Sequence, residues 1–273
     1  VFVDSAIARR LELASIWRSI RYANAKARIE PDTPLAIEAV GDGFAVFAGV
    51  EAPVNAAGGL GMTTPVARQT MDAVEDFFRS RNLRPRVMLC PLADSSLLYL
   101  LRERRYNIDT FFSVLVLPLD RPLNRKPNGD VLGRRIDERE AETWLRAVGG
   151  GFDGDSSLAT EMRTILAPNF YSESAAIFLA EIDGQAVGGG AMYVHDGVVE
   201  FGSTSTLPNY RRRGVQTALL DVRLKLAQEI GCDLAMVITS PGTASQRNVM
   251  RLGFELAYTK AAMRGEGRLT IDD

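Results

Sequence analysis

The sequence predicts an α/β chain built as two similar halves, and three observations carry that prediction. Strand-like runs bounded by glycine turns alternate with segments of helical period along the whole chain. The order strand, proline, helix occurs twice, with Pro91 and Pro241 at matching corners and a long amphipathic helix ahead of each. Finally, 273 residues, 46% of them hydrophobic and 24% charged, suffice for two medium domains with full cores.

In the first half a helix is expected over residues 4–23, where Ile7, Leu11, Ala14 and Trp17 share a stripe. Strands follow at 35–40 and 44–50 around the turn Gly41-Asp42-Gly43. A glycine-containing loop over 55–61 leads to a helix near 65–81, whose Ala67, Met71, Val74 and Phe78 share a face. A strand (86–90), a helix (95–105) and a strand (111–117) close the half. The proline-containing basic stretch 120–134 reads as a linker, so the expected domains are 1–119 and 135–273.

The second half opens with helices at 137–148 and 157–166. Strands at 175–181, 186–194 and 198–207 follow, joined by turns at Asp183-Gly184 and His195-Asp196-Gly197. A helix over 215–230 carries Val215, Leu219, Val222 and Leu226 on one stripe. A strand (234–239), a helix (244–252) and a strand (255–263) end the half.

Composition excludes several classes. With 32 basic and 34 acidic residues the formal net charge is −2, which offers no general basic surface for nucleic acid. Cys90 and Cys232 are too few for a disulfide framework and sit in apolar runs, as buried thiols do. The single histidine, His195, falls in a turn, which leaves little for a metal cluster or a serine–histidine triad. No run of 18 apolar residues and no charged-then-apolar leader occurs, so no membrane association and a cytoplasmic location are expected. Gly149 to Gly154 fits G-x-G-x-x-G but follows a helical segment instead of a strand, so it reads as a flexible loop and not as a dinucleotide site.

The chemistry is concentrated after the strand ending Ser205-Thr206-Leu207. Pro208 stops the ladder, and the turn Arg211-Arg212-Arg213-Gly214-Val215-Gln216-Thr217 then opens a long helix. Amides at a helix start lack intrahelical partners and sit at the positive end of the macrodipole. Gly214 allows close backbone approach, and three arginines add charge. The whole suits a diphosphate, although alone it also fits an arginine-rich solvated turn.

This half resembles the GNAT superfamily of N-acetyltransferases, whose signature is Arg or Gln, two residues, Gly, one residue, then Gly or Ala. Arg211 and Gly214 take the first and fourth positions, while Gln216 departs from the sixth. Ser245-Gln246-Arg247-Asn248 before Arg251-Leu252-Gly253-Phe254 is similar to the family's next helix and its closing Gly-Phe. The resemblance spans roughly 134–264. It implies two tandem GNAT-like domains, each a mixed, mostly antiparallel sheet flanked by helices. Asn55 to Gly61, at the matching place in the first half, has no arginine, so that half looks like a degenerate copy with no cofactor expected.

The resemblance further implies transfer of an acetyl group from acetyl-CoA, a cosubstrate, to a primary amine of a small molecule or peptide, with no metal. Ser205, Thr206 and Leu207 are then expected at the pantetheine and acetyl group, with a backbone N–H there serving the oxyanion. The loop from Arg211 to Thr217 takes the diphosphate. Ser245 and Asn248 fall on the next helix, with a pantetheine contact set against simple capping and exposure. Glu200, the only carboxylate within its strand, is the candidate base, set against an ion-paired strand residue. Many relatives carry a tyrosine acid four residues before the Gly of Gly-Phe, where this chain has Val249. That departure keeps a second reading open, a non-catalytic CoA-binding sensor or scaffold. Oligomerisation is compatible with either.

Overall fold

The computed structural model describes residues 1–120, 129–153 and 159–266. The chain folds into two compact units that are not consecutive stretches of sequence. Residues 1–114, 239–248 and 256 onward form the first, and residues 115–238 and 249–255 form the second.

The first unit opens with α1 (Ser5–Ile29), whose Asp4 carboxylate accepts the Ile7 N–H as an N-cap. The helix runs past its predicted end because Ala23 and Ala25 are still buried and Lys26 reaches Glu30 at 2.6 Å. Strands β1 (Leu35–Val40) and β2 (Gly43–Ala48) form the expected antiparallel hairpin. The stretch expected as a loop contains a short strand, β3 (Ala56–Gly58), which is too brief to show an alternating pattern. It pairs antiparallel with β2, and parallel with β4 (Arg86–Leu89) at Ala57↔Val87 alone. Helices α2 (Arg68–Arg79) and α3 (Ser95–Glu103) follow, then strand β5 (Asn107–Pro118), whose residues from Leu115 on belong to the second unit. Met71, Val74, Phe78, Leu97 and Leu101 are among the side chains that fill this core.

The second unit is a sheet in the order β10-β9-β8-β7-β6. Its strands are β6 (Leu132–Ile136), β7 (Ala175–Ile182), β8 (Gln185–His195), β9 (Val198–Thr206) and β10 (Leu234–Thr239). Helices α4 (Ala141–Asp153) and α5 (Ala159–Phe170) pack around Trp144, which is fully buried, on one face. Helix α6 (Val215–Glu229) covers the other face through Leu219, Leu220 and Leu224. The β9–β10 pair is parallel, and the pairs β6–β7, β7–β8 and β8–β9 are antiparallel. Asp196 and Gly197 both have positive φ, as a tight hairpin turn requires.

Three expectations are corrected. Part of the predicted linker 120–134 is strand β6, held beside β7 and tied down where Arg134 bonds both Glu140 and Glu181; residues 121–128 of it lie outside the described residues. The glycine stretch from Gly149 is the last turn of α4 and not a loop, with Gly154 outside the described residues. Finally, the last strand, β11 (Glu255–Arg264), read in sequence as the end of the second half, is antiparallel to β4 in the first unit from Ala261↔Leu89 to Arg264↔Arg86. Its reach is fixed by buried polar contacts: Lys260 Nζ lies 3.1 Å from both Glu12 carboxylate oxygens, and Tyr258 donates to Glu12 at 2.8 Å. Burial, with the Glu12 charge adding to it, pushes the neighbouring Cys90 thiol up to about 11, so this thiol stays protonated at neutral pH. Both cysteines are free and buried.

Between α7 (Ala244–Arg251) and β11, the chain passes Gly253 at φ +92 and returns Phe254 to the second unit's core against Phe201.

Candidate functional site

The site is built where β9 parts from β10. Their parallel register runs from Val198↔Leu234 to Phe201↔Val237 and stops, although β9 continues to Thr206. At the same point the β8–β9 register shifts between Gly189↔Ser205 and Ala191↔Gly202. Gly190 therefore faces two residues, Ser203 and Thr204, and Ser203 adopts φ +49. Such a bulge bends the strand that carries the extra residue. Beyond it, the edge of β9 that β10 would have covered carries the backbone groups of Gly202–Thr206.

At the end of β9 the hydroxyl of Thr206 is buried with no hydrogen-bond partner among the described residues. The chain then makes a 3-10 turn (Pro208–Tyr210) and enters α6 through Arg212 at φ +64 and Gly214 at φ +86. Gly214 is the N-cap, without a side-chain hydrogen bond, and the first intrahelical bond is from Ala218 N–H to Gly214 O. The first-turn amides before Ala218 thus stand at the positive end of the helix. Arg212 and Arg213 are exposed, and the Arg213 guanidinium lies 5.5 Å from the centre of the Tyr210 ring. A helix start without a side-chain cap, adjacent guanidinium groups and an orphaned buried hydroxyl together fit an anionic ligand with a hydrogen-bonding arm.

The first unit handles the corresponding stretch differently. In the loop from β3 to α2, the Gly61 and Thr63 amides donate to Asp42 at 2.8 and 2.7 Å, Thr64 adds a third amide, and the Thr63 hydroxyl a fourth donor. A carboxylate of the protein's own thus holds those donors. Burial opposes ionisation of Asp42, but these hydrogen bonds outweigh it and lower its pKa.

The sequence-derived candidates fall into three groups. Arg212, Arg213, Gly214, Val215, Gln216 and Thr217 form the turn and helix start just described. Ser205, Thr206, Leu207 and Arg211 lie beside them, but several of their groups are bound internally. Ser205 donates to Val148 O at 2.7 Å, Leu207 N–H to Val187 O, and Arg211 to Gly151 O at 3.0 Å and Thr206 O at 3.4 Å. Arg211 thus braces the end of α4 against β9. Gly151 makes that approach possible, since a Cβ there would stand 2.3 Å from Ser205 Oγ. Ser245 and Asn248 lie on α7 among residues grouped with the first unit, and Ser245 is exposed.

Glu200 is 2% exposed on β9, opposite Tyr193 of β8 and Met236 of β10. Its strand neighbours Val199 and Phe201 belong to the α6-side core, so alternation turns Glu200 to the α4–α5 face. Tyr193 there donates to Asn169 Oδ1 at 3.1 Å and lies 3.4 Å from Ser203 Oγ. Val249 is half-buried against the second core, and supplies no proton donor.

Sequence reasoning missed Tyr193, Asn169 and Ser203, which no motif marks. It also missed Arg223, although a signal existed: Arg223 stands one helical step, i+4, beyond Leu219 on the buried side of α6. Among the described residues no group of three or more His, Cys, Asp or Glu is arranged to hold a metal, and no helix is long and apolar enough to cross a membrane.

The site thus combines a parallel strand pair, β9–β10, whose register ends at Phe201, with a cationic helix start at Gly214. Residues 140–254 match the acetyltransferase (GNAT) family model. Solved structures share the fold over much greater lengths. A GCN5-related N-acetyltransferase from Kribbella flavida is 20% identical with a TM-score of 0.64, covering 91% of this chain and 96% of that one. A tandem GNAT protein from the clavulanic acid biosynthesis pathway is 13% identical with a TM-score of 0.58, covering 91% and 94%. A GCN5-related N-acetyltransferase from Sphaerobacter thermophilus is 18% identical with a TM-score of 0.55, covering 75% and 69%. No curated protein matches the sequence.

Proposed function

We propose that this protein is an N-acetyltransferase that uses acetyl-CoA to acetylate a primary amine of a small molecule or peptide. One observation carries the reading: β9 leaves β10 after Phe201 and leads, through the turn that follows Thr206, into a helix start that has no side-chain cap. The family match supports acyl transfer as the reaction class. In that reaction the amine lone pair attacks the thioester carbonyl, a C–N bond forms, and the C–S bond breaks as the CoA thiolate departs.

The first-turn amides of α6, with Arg212 and Arg213, hold the diphosphate. The edge of β9 from Gly202 to Thr206, beyond its register with β10, aligns the pantetheine arm, and one of its N–H groups stabilises the oxyanion. Because the Leu207 N–H already donates to Val187 O, that role falls to an amide before it. Thr206 supplies its unpartnered hydroxyl to the arm. Glu200 takes the proton from the attacking amine, directly or through water. With Val249 in place of an acid, solvent protonates the departing thiolate. A donor other than acetyl-CoA, such as propionyl- or succinyl-CoA, leaves these roles unchanged.

Titration calorimetry with acetyl-CoA, run beside CoA release on a panel of amines, tests the proposal. Saturable binding with release on at least one amine is expected. The Glu200→Gln variant should then turn over at least tenfold more slowly with unchanged acetyl-CoA affinity. Binding without turnover on every amine favours the sensor or scaffold reading, which Val249 keeps open. Absence of binding sinks both.

A further inference from the structure

Arg223 is the one arginine among the described residues that is 2% exposed, and no carboxylate is paired with it among those residues. Its Nε donates to Leu219 O of its own helix at 2.8 Å, which fixes the side chain along α6. Its Nη1 donates to two strands at once, to Ala191 O of β8 at 3.2 Å and to Thr204 Oγ1 of β9 at 2.8 Å. The guanidinium also lies 5.0 Å from the centre of the Phe201 ring. Desolvation pulls its pKa down, which measures how unfavourable the location is for a charge. A buried cation with no counter-ion is a costly feature that a leucine would avoid.

What it holds is the bulge. Ala191 pairs immediately beside the bulge, and Thr204 is one of the two residues that Gly190 faces. A Cβ on Gly190 would stand 2.8 Å from Arg223 Nη1 and 2.9 Å from Thr204 Oγ1, so glycine here makes room for the guanidinium. Phe201, beneath the same guanidinium, is the last β9 residue in register with β10. Arg223 therefore spans the point at which β9 both bulges and departs from its parallel neighbour.

We propose that Arg223 is a positioning residue of the acyl-transfer site: by bonding Ala191 and Thr204 across the bulge, it fixes the backbone of Ser203–Thr206 in the position that receives the thioester. This role rests on the acetyl-CoA reading given above. The bulge itself needs an anchor, because Ser203 at φ +49 and a two-against-one register are not the relaxed state of a strand. Guanidinium geometry suits the task, since one planar group serves the helix carbonyl through Nε and both strands through Nη1.

The test uses hydrogen exchange and acetyl-CoA titration on the full chain, in wild type, Arg223→Met, Arg223→Lys and Thr204→Val. In wild type, acetyl-CoA should slow exchange over 202–207 and 211–217. Without ligand, Arg223→Met should speed exchange at 202–207 at least tenfold and leave α4 and β7 within twofold. Its acetyl-CoA affinity should fall at least fivefold. Lysine, which keeps the charge on a single donor nitrogen, should restore part of the protection. Thr204→Val removes one acceptor at nearly constant volume, so it should show the same local effect more weakly and serves if Arg223→Met fails to fold. Unchanged exchange at 202–207, or acceleration spread evenly over the whole second unit, overturns the proposal. A wild type that acetyl-CoA does not protect overturns the binding reading itself, and is distinguished from clamp failure by needing no variant.

Discussion

At the residue scale the site depends on positions where one atom more or less changes the backbone. Gly214 adopts φ +86 as the N-cap of α6, and a carboxylate placed there would meet both the helix-start amides and the bound diphosphate. Gly214→Asp and Arg213→Glu are each expected to weaken acetyl-CoA binding more than tenfold while circular dichroism stays unchanged. Equal affinity in calorimetry would remove the loop from the site. Gly151 is a different case, because its neighbour is the protein itself. A methyl group there would meet Ser205 Oγ at 2.3 Å and Thr206 N at 2.9 Å, so the end of β9 must yield. Gly151→Ala should cost about 1–3 kcal/mol, read as a lower thermal midpoint, and should also weaken acetyl-CoA binding. A variant as stable as wild type would show that α4 and β9 do not pack this closely.

At the element scale, the two strand-to-helix connections differ in who occupies their amides. In the second unit the α6 start has no side-chain cap. In the first, Asp42 accepts from Gly61, Thr63 and Thr64 and locks the loop between β3 and α2. Replacing it leaves those amides without an ionised acceptor, so Asp42→Asn should destabilise the fold by about 1–3 kcal/mol near neutral pH. The sign of the pH dependence follows from the lowered pKa. The ionised carboxylate stabilises the folded state above its ordinary value of 3.8, and that contribution disappears as pH falls through the lower folded value. Thermal midpoints of wild type and Asp42→Asn should therefore converge below about pH 4. A gap that persists into strong acid would argue against an ionised Asp42.

At the scale of the whole molecule, strand β11 lies in the same unit as helix α1. Strand β11 is secured in the first unit by Lys260 and Tyr258 on Glu12 of α1, and both members of the ion pair are 2% exposed. Breaking a buried pair on one side strands a charge, which costs about 3–5 kcal/mol. Lys260→Met should lower the urea midpoint by a correspondingly large step, and the double variant Glu12→Leu/Lys260→Met should recover most of the loss. If both variants behave alike, the pair is not what holds the last strand. The exchange also explains a limit of sequence reading: β11 has a good strand pattern, but a pattern carries no partner, so it was assigned by adjacency to the half that precedes it.

The helix and strand order was legible because amphipathic period and glycine turns are local, and the loop from Arg211 to Gly214 was legible because its charge and glycine lie within a few residues. Strand β3 escaped because three residues cannot display alternation, and β6 because its neighbours in sequence read as a linker. The sequence by itself determined two α/β units, their elements and a cationic helix start. Only the tertiary structure decided that β9 bulges away from β10, that Arg211 braces α4, that Arg223 is buried beneath the bulge, and that β11 belongs with β4. Those facts depend on contacts that reach as far as 60 positions for Arg211 and 248 for Lys260, and no pattern confined to neighbouring residues encodes them.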